Sequence, residues 1–214
     1  MPHVDLIIFD LDGTLVDSRR DLANSVNYAL KALDLPPLEM EVVMSYVGDG
    51  LKKLINRSLP KNQLQKIDEV IAIFRSHYRE HLLDFSTFYP NVENILRHFQ
   101  AKKMAVVSNK PYEFTRLILE RLNADNFFEI ILGGDSLPEM KPDPGPILHI
   151  LSQLSVSPDK AAIVGDGTTD IEAGKAANIW TCAVTYGLKK KEVLFKTNPD
   201  FMIDDLVELK KVFE

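Results

Sequence analysis

Short apolar runs alternate with helical patterns along most of the chain. Each run is short enough for a strand, and five of them end at Asp10, Ser108, Gly133, Asp166 and Thr185, with a weaker one over residues 200–204. Amphipathic helical patterns separate most of the runs, at residues 91–102, 112–122, 144–153, 169–177 and 204–213. Strands alternating with helices are typical of an α/β fold with a mainly parallel sheet. The pattern therefore predicts a Rossmann-like core.

One long interval interrupts this alternation. More than eighty residues separate the first run from "MAVVSNK" (residues 104–110), too many for a single crossover connection. Apolar residues recur at helical spacing after Ser18 and Asp21, which resemble a capping box, and again over residues 63–83. We expect an inserted α-helical cap domain over the mouth of the sheet; a helical layer packed rigidly on the sheet is the alternative. The predicted domains are an α/β core of residues 1–15 and 86–214 and a cap of residues 16–85.

Polar residues follow the apolar runs at three of the predicted strand ends. Asp10 and Asp12 follow the first run, Ser108 a later one, and Asp166 another. Ligands of parallel α/β sheets bind outside the carboxyl ends of the strands, so these residues are expected to share one crevice. Taken singly, each has a simpler interpretation, because Asp-Gly favours a solvated turn and Ser commonly caps a helix.

Composition and charge narrow the classes of function. The 214 residues are 45% hydrophobic and 26% charged, as in an ordinary globular protein, and the net charge of −6 disfavours general binding of nucleic acid or an anionic membrane. The single cysteine, Cys182, excludes an internal disulfide. No apolar run is long enough to cross a membrane, and the N-terminus lacks a signal-peptide pattern. We therefore expect a cytoplasmic protein.

The predicted crevice gathers an unusual set of charged groups. Asp10, Asp12, Asp166 and Asp170 would converge there with Lys141, which lies in a proline-bounded loop. Several carboxylates in one pocket repel one another unless a cation joins them, and hard oxygen ligands favour Mg²⁺ shared with a phosphate. The sequence contains neither a P-loop nor a G-x-S-x-G elbow, which disfavours a nucleotide-driven kinase and a serine hydrolase.

The order of four short motifs resembles the haloacid-dehalogenase superfamily. They are DLDGT, SNK, a lysine before Pro-Asp-Pro, and GDGTTD, and the resemblance covers almost the whole chain. It implies that Asp10 is a nucleophile that becomes an aspartyl phosphate, that Asp12 is the general acid and base, and that Lys141 stabilises negative charge on the phosphoryl group. Superfamily members that remove halide lack an acid at the position of Asp12, so the resemblance implies phosphate ester chemistry.

The same resemblance implies the ligands of phosphate and metal. Thr14, Ser108, Lys141 and an amide near Asn109 would hold phosphate oxygens. Magnesium would be bound by Asp10, Asp166 and the backbone carbonyl of Asp12, while Asp170 would orient a metal-bound water or Lys141.

The branch of the superfamily that hydrolyses 2-phosphoglycolate is the one that the chain resembles most, in the stretches FDLDGTLVDS, VGDGLKKLI, VSNKP and YGL…PDFMIDDLVEL. The expected partner is thus a small phosphorylated metabolite, and the protein is expected to be a monomer or a homodimer. Specificity is expected from the cap loop "VGDGLKK", in which Gly48 and Gly50 permit close backbone approach and Lys52 or Lys53 would meet a substrate carboxylate; an ordinary turn with solvated lysines is the alternative. Other activities remain open: a pyrophosphatase, nucleotidase or sugar phosphatase, a β-phosphoglucomutase-like isomerase, or a catalytically silent binding module.

Overall fold

The core of the protein is a six-stranded parallel sheet with helices packed against it. A computed structural model describes residues 1–213 of the chain. The strands of this sheet are β1 (Leu6–Phe9), β4 (Lys103–Val107), β5 (Ile130–Leu132), β6 (Ala161–Gly165), β7 (Trp180–Val184) and β8 (Phe201–Ile203). They lie side by side in the order β5-β4-β1-β6-β7-β8. The predicted α/β class and the six predicted strands are confirmed.

The described chain also contains ten α-helices. They are α1 (Arg19–Lys31), α2 (Met40–Tyr46), α3 (Leu51–Ser58), α4 (Ile67–His81), α5 (Val92–His98), α6 (Tyr112–Arg121), α7 (Gly145–Leu154), α8 (Thr168–Ala176), α9 (Lys191–Phe195) and α10 (Leu209–Val212). The helix predicted over residues 204–213 is shorter than expected, because a 3₁₀ turn at Leu206–Glu208 comes before α10.

Strand register brings the predicted site residues together. Phe9, the last residue of β1, lies beside Val106 of β4 and Val164 of β6. These three parallel strands consequently end at the same edge of the sheet. Alternate residues of β1 point to opposite faces of the sheet, so Ile7 lies in one apolar cluster and Leu6 in another. This is expected for a strand buried on both sides.

A short antiparallel ribbon leads into and out of the helical interval. It pairs β2 (Val16–Asp17) with β3 (Thr87–Phe88). The helices between these strands pack on one another, principally α1 on α4, with smaller contacts of α2 with α1 and of α3 with α4. Their buried side chains belong to the same apolar cluster as one face of the sheet. The ribbon and the helices together span residues 16–88, and the division into a core and a cap of residues 16–85 stays a prediction.

The predicted capping box of α1 is wrong. Ser18 makes no capping hydrogen bond; its hydroxyl instead donates to Asp12 Oδ1 at 2.5 Å. The Asp21 carboxylate accepts hydrogen bonds from the backbone N–H groups of Phe85 and Ser86, at 3.0 and 2.8 Å. Both side chains are bound instead by residues distant from the helix: Ser18 at the end of β1, and Asp21 where the chain leaves the insertion.

No helix within residues 1–213 is long and apolar enough to cross a membrane.

Candidate active site

The strand ends surround a small, partly open cavity of about 60 Å³. Its floor is polar and contains Asp10, Ser108 and Asp166, which directly follow β1, β4 and β6. Its roof is largely apolar and is contributed by both the insertion and the core. The apolar lining comprises Leu22, Val47, Leu51, Leu54, Phe74, Phe114 and Leu188.

Lys141 lies between two carboxylates on the floor. Its Nζ is 2.9 Å from Asp10 Oδ1 and 2.6 Å from Asp170 Oδ1, and it donates to the backbone oxygen of Val107 at 2.5 Å. Burial alone would lower the pKa of this amine, but the attraction of the two carboxylates raises it above the ordinary value of lysine. Lys141 is therefore a permanently charged group held beside Asp10.

Asp10 is buried without a complete set of hydrogen bonds. Its Oδ1 accepts no well-directed hydrogen bond, although Lys141 is close enough for an ion pair. Burial raises the pKa of Asp10 to about 6, and the positive charge of Lys141 opposes that rise. Asp10 lines the cavity, and its carboxylate keeps hydrogen-bonding capacity that the protein does not use.

Three carboxylates form a compact acidic cluster at this point. Asp10, Asp166 and Asp170 each offer an oxygen within 4.8 Å of the others. Burial, followed by repulsion from Asp10 and Asp170, raises the pKa of Asp166 well above its usual value. A divalent cation would relieve both the repulsion and the unmet hydrogen-bonding capacity of Asp10. The donor set, which is all oxygen, fits a hard cation such as Mg²⁺.

Asp166 is enclosed by backbone that approaches it closely. A Cβ on Gly13 would lie 2.2 Å from Asp166 Oδ2, and a Cβ on Gly187 would lie 2.3 Å from Asp166 Cβ. The backbone N–H of Leu188 donates to Asp166 Oδ2 at 2.6 Å. Gly13 also has φ of +85°, which disfavours any other residue. Glycine is therefore required at position 13 for two independent reasons.

Both carboxylate oxygens of Asp170 accept hydrogen bonds from neighbouring groups. Besides its contact with Lys141, it accepts a hydrogen bond from the backbone N–H of Gly167 at 2.8 Å, through Oδ2. Of the two roles expected for Asp170, orientation of Lys141 is the one that these contacts favour.

Asp12 occupies a separate electrostatic environment from Asp10. Lys110 Nζ lies 2.9 and 2.8 Å from its two oxygens, and Ser18 also donates to it. The carboxylate of Asp12 is outside the acidic cluster. The Tyr78 ring of α4 lies 4.8 Å from Lys110 Nζ, so the insertion covers this ion pair directly. The Tyr78 hydroxyl is buried without a hydrogen-bond partner, and burial raises the pKa of Tyr78 to about 12.

The phosphate-binding residues expected from the sequence differ in their placement. Ser108 lines the cavity. Asn109 also lines it, but its Nδ2 donates to the backbone oxygens of Gly48 and Lys141, both at 2.8 Å, so this side chain joins the insertion to the core. Thr14 is fully buried, lies outside the cavity lining, and directs its hydroxyl toward Asp166 at 3.4 Å. The turn at Gly13 carries Thr14 beneath the site, which argues against direct contact of its side chain with phosphate.

The cap loop reaches the cavity through its glycines rather than its lysines. Gly48 and Gly50 line the cavity, as expected, whereas Lys52 and Lys53 are exposed and do not. The reason is that these lysines belong to α3 and not to a loop. Residues 51, 54, 55 and 58 form the inward face of that helix, and the two lysines project from the opposite side. This geometry does not support a contact of either lysine with the substrate.

Sequence reasoning missed three residues that line the cavity. Lys110 directly follows the predicted Ser108 and Asn109, and its position beside them was the available signal. Tyr78 belongs to the helical pattern over residues 63–83, where it was interpreted only as part of the apolar face. Lys189, in the connection between β7 and α9, follows an apolar run with no distinguishing pattern.

Comparisons with known proteins agree with this geometry. A sequence model described as haloacid dehalogenase-like hydrolase matches residues 7–184. Phosphoglycolate phosphatase of Colwellia psychrerythraea is 37% identical, over 96% of this chain and 95% of that protein. Phosphoglycolate phosphatase of Aquifex aeolicus is 40% identical, over 95% of each. A crystal structure of a predicted phosphoglycolate phosphatase from Haemophilus somnus superposes with a TM-score of 0.92 at 34% identity, covering 98% of this chain and 97% of the other.

Proposed function

The chain belongs to the haloacid dehalogenase-like hydrolase family, and from this membership we propose that it is a magnesium-dependent phosphatase that hydrolyses 2-phosphoglycolate to glycolate and phosphate. The observation that carries the proposal is the buried Asp10 carboxylate. It lies at the end of a central strand, beside the cation of Lys141 and at the centre of the acidic cluster. A nucleophile in such a position would attack a phosphoryl group that the same charges hold in place.

Asp10 and Asp12 would divide the chemistry between them. Asp10 would form the aspartyl phosphate, while Asp12 would give a proton to the departing alkoxide oxygen and later accept one from the hydrolytic water. Lys110 and Ser18 hold the Asp12 carboxyl in place for both transfers. Lys141 would compensate the negative charge that develops on the phosphoryl oxygens.

The acidic cluster would hold the metal. Asp10 and Asp166 would bind Mg²⁺ together with the backbone carbonyl of Asp12, and Asp170 would keep Lys141 in position. When bound, the ion supplies positive charge that makes the phosphorus more electrophilic and allows the carboxylates to be ionised together. The roof of the cavity would exclude all water except the attacking molecule.

The size of the cavity supports a compact substrate. Sites for drug-sized ligands are typically about 300–1,000 Å³, whereas this partly open cavity, with the insertion packed beside it, has a volume of about 60 Å³. A two-carbon phosphate ester suits such a space better than a nucleotide. The phosphoglycolate phosphatases to which the chain is similar along nearly its whole length support the same substrate.

We also propose that residues 16–85 act as a cap domain that opens to admit substrate. The antiparallel ribbon β2–β3 is the place where both connections cross between the helices and the sheet, so it is a suitable hinge. Hydrogen bonds from Asn109 and Lys189 to backbone oxygens of the cap loop would have to break on opening.

Phosphate release from a panel of substrates tests the function. We expect magnesium-dependent hydrolysis with a clear preference for 2-phosphoglycolate over sugar phosphates, nucleotides and pyrophosphate. The Asp10→Asn variant should lose activity by a factor on the order of a thousand or more, because it lacks the nucleophile. Lys52→Met, at an exposed position, serves as the control. Equal hydrolysis by the wild type and Asp10→Asn would contradict the mechanism, and a preference for another substrate would contradict the assignment of phosphoglycolate.

A further inference from the structure

Lys189 differs from the other two lysines that line the cavity. Lys110 is paired with Asp12, and Lys141 with Asp10 and Asp170. Lys189 Nζ instead donates at 3.2 Å to the backbone oxygen of Val47, which is a neutral acceptor. Within residues 1–213 no carboxylate lies within ion-pair distance of Lys189, so its charge is the one among the three lysines that is left without a counter-ion.

We propose that Lys189 binds the carboxylate of the substrate and thereby selects phosphate esters that carry a second anionic group. This inference rests on the proposed phosphatase function and concerns specificity within the same site. The phosphoryl group would occupy the floor beside Asp10, and the carboxylate would lie toward the connection that follows β7. In that arrangement each anionic end of the substrate meets a different lysine.

The charges that line the cavity make a cation necessary at the end that would hold the substrate carboxylate. The floor already contains a cluster of carboxylates, and much of the remaining lining is apolar. A substrate carboxylate transferred from water into such surroundings would be repelled and desolvated unless a cation met it. A hydrogen bond from lysine to a carboxylate is also stronger than one to a neutral carbonyl. The substrate would therefore displace Val47 as the partner of Lys189.

The location of Lys189 links recognition to the cap loop. Its Cε lies 4.0 Å from the position that a Cβ on Gly48 would occupy. Gly48 has φ of +120°, and its backbone oxygen accepts the hydrogen bond from Asn109. Lys189 thus lies where the core meets the loop of residues 47–50, on the cavity side. Lys190, the next residue, is exposed and outside the cavity lining, which makes it a matched control.

Two substrates that differ in the carboxylate test the inference. We would measure kcat/KM for 2-phosphoglycolate and for ethyl phosphate, which has the same number of carbons and no carboxylate, in the wild type and in Lys189→Met, Lys189→Arg and Lys190→Met. The ratio of the two values should fall at least about tenfold in Lys189→Met, mainly through a higher KM for 2-phosphoglycolate, because a partly buried charge pair is lost. Lys189→Arg should retain most of the ratio, and Lys190→Met should match the wild type.

The outcomes separate this inference from the proposed function. If the wild type prefers 2-phosphoglycolate and Lys189→Met keeps that preference, the role of Lys189 is overturned and the function stands. If Lys189→Met lowers kcat/KM equally for both substrates, Lys189 supports the fold or the cap contact, and selection by its charge is overturned. If the wild type shows no preference for 2-phosphoglycolate, the proposed substrate itself fails. Thermal unfolding of each variant distinguishes loss of recognition from loss of folded protein.

Discussion

Two aspartates separated by one residue have different electrostatic partners in this protein. Asp10 belongs to the acidic cluster and contacts Lys141, whereas Asp12 is paired with Lys110 and Ser18. Leu11 between them is fully buried in the core and anchors the chain where the two carboxylates diverge. The two aspartates therefore have different surroundings. Such a difference is expected when one carboxyl group is a nucleophile and the other transfers protons.

The Lys110–Asp12 pair predicts a non-additive effect on stability. Lys110→Met should lower the free energy of unfolding by about 3–5 kcal/mol, because it leaves the buried Asp12 carboxylate without its counter-ion. Adding Asp12→Asn should restore part of that loss. Urea unfolding of the two single variants and the double variant gives the coupling free energy.

Lys52→Met is the control for this cycle, since Lys52 is exposed. A loss in Lys110→Met no larger than that in Lys52→Met would contradict a structural role for the buried pair. Strictly additive effects would contradict direct coupling between Lys110 and Asp12.

The sequence indicated the residues at strand ends better than it indicated their partners. Asp10, Ser108 and Asp166 could be predicted because parallel strands end at one edge of a sheet. The contact of Lys110 with Asp12 joins positions 98 residues apart, and no local pattern reports it. The position of Thr14 outside the cavity lining has no local pattern for a related reason, since the direction of the chain after Gly13 depends on a positive φ and on the close approach of Asp166.

At the scale of elements, an ion-pair network joins α4 of the insertion to α6 of the core. Arg75 Nη2 lies 2.7 Å from Glu113 Oε2, and Arg79 donates to Glu113 Oε1. All three side chains are about one-third to one-half exposed, so each pair contributes little to overall stability. The network nevertheless connects the two parts of the molecule that would separate when the cap opens.

We expect Glu113→Gln to loosen the cap without unfolding the protein. Hydrogen exchange of the backbone around residues 47–50 should become faster, while the free energy of unfolding changes by less than about 1 kcal/mol. Hydrogen–deuterium exchange with mass spectrometry measures the first quantity, and urea unfolding the second.

Glu120→Gln is the matched control, because Glu120 pairs with Arg116 within α6 and not across to the insertion. Equal changes in exchange for Glu113→Gln and Glu120→Gln would show that the network does not hold the cap.

Helices were predicted well where the spacing of apolar residues determines the structure. They were predicted less well where contacts with distant residues replace local hydrogen bonds. The helical face of α4 followed from its apolar spacing. Ser18 and Asp21 carried a local capping signal that was overridden by Asp12 and by the backbone at residues 85–86. The start of α3 was read as a loop because Gly48 and Gly50 precede it, although the spacing of Leu51, Leu54 and Ile55 already indicated a helix.

For the molecule as a whole, we expect the acidic cluster to make the free energy of unfolding depend on pH and on a bound cation together. Burial raises the pKa of Asp10 from 3.8 to about 6, and that of Asp166 rises in the same direction. Between pH 4 and 6 the metal-free folded state therefore binds more protons than the unfolded state, and its free energy of unfolding falls as pH rises. The shift of Asp10 alone corresponds to about 3 kcal/mol.

Magnesium should reverse this loss, because a bound cation replaces the protons. We expect the rise in melting temperature on adding Mg²⁺, relative to protein in EDTA, to be larger at pH 7.5 than at pH 4.5. Differential scanning fluorimetry at both pH values measures the difference. A rise that is equal at the two values, or absent at pH 7.5, would contradict binding of the cation by these carboxylates.

The overall architecture was predictable because it depends on patterns that repeat along the chain. Alternation of apolar runs and helices predicted the sheet, and the long break in that alternation predicted the insertion. Packing between insertion and sheet was not predictable to the same degree. It depends on single contacts such as Asn109 to Gly48 and Lys189 to Val47, which have no periodic signature.

The apolar roof of the cavity has a thermal consequence. Residues of α4 and α6 such as Phe74 and Phe114 share one buried cluster, so separating the insertion from the core would bring hydrocarbon surface into water. Exposure of apolar surface increases heat capacity, and the driving force that opposes it weakens on cooling. The balance between closed and open forms would consequently shift with temperature, and access to the carboxylates of the cavity would become easier in the cold even as a chemical step there slowed.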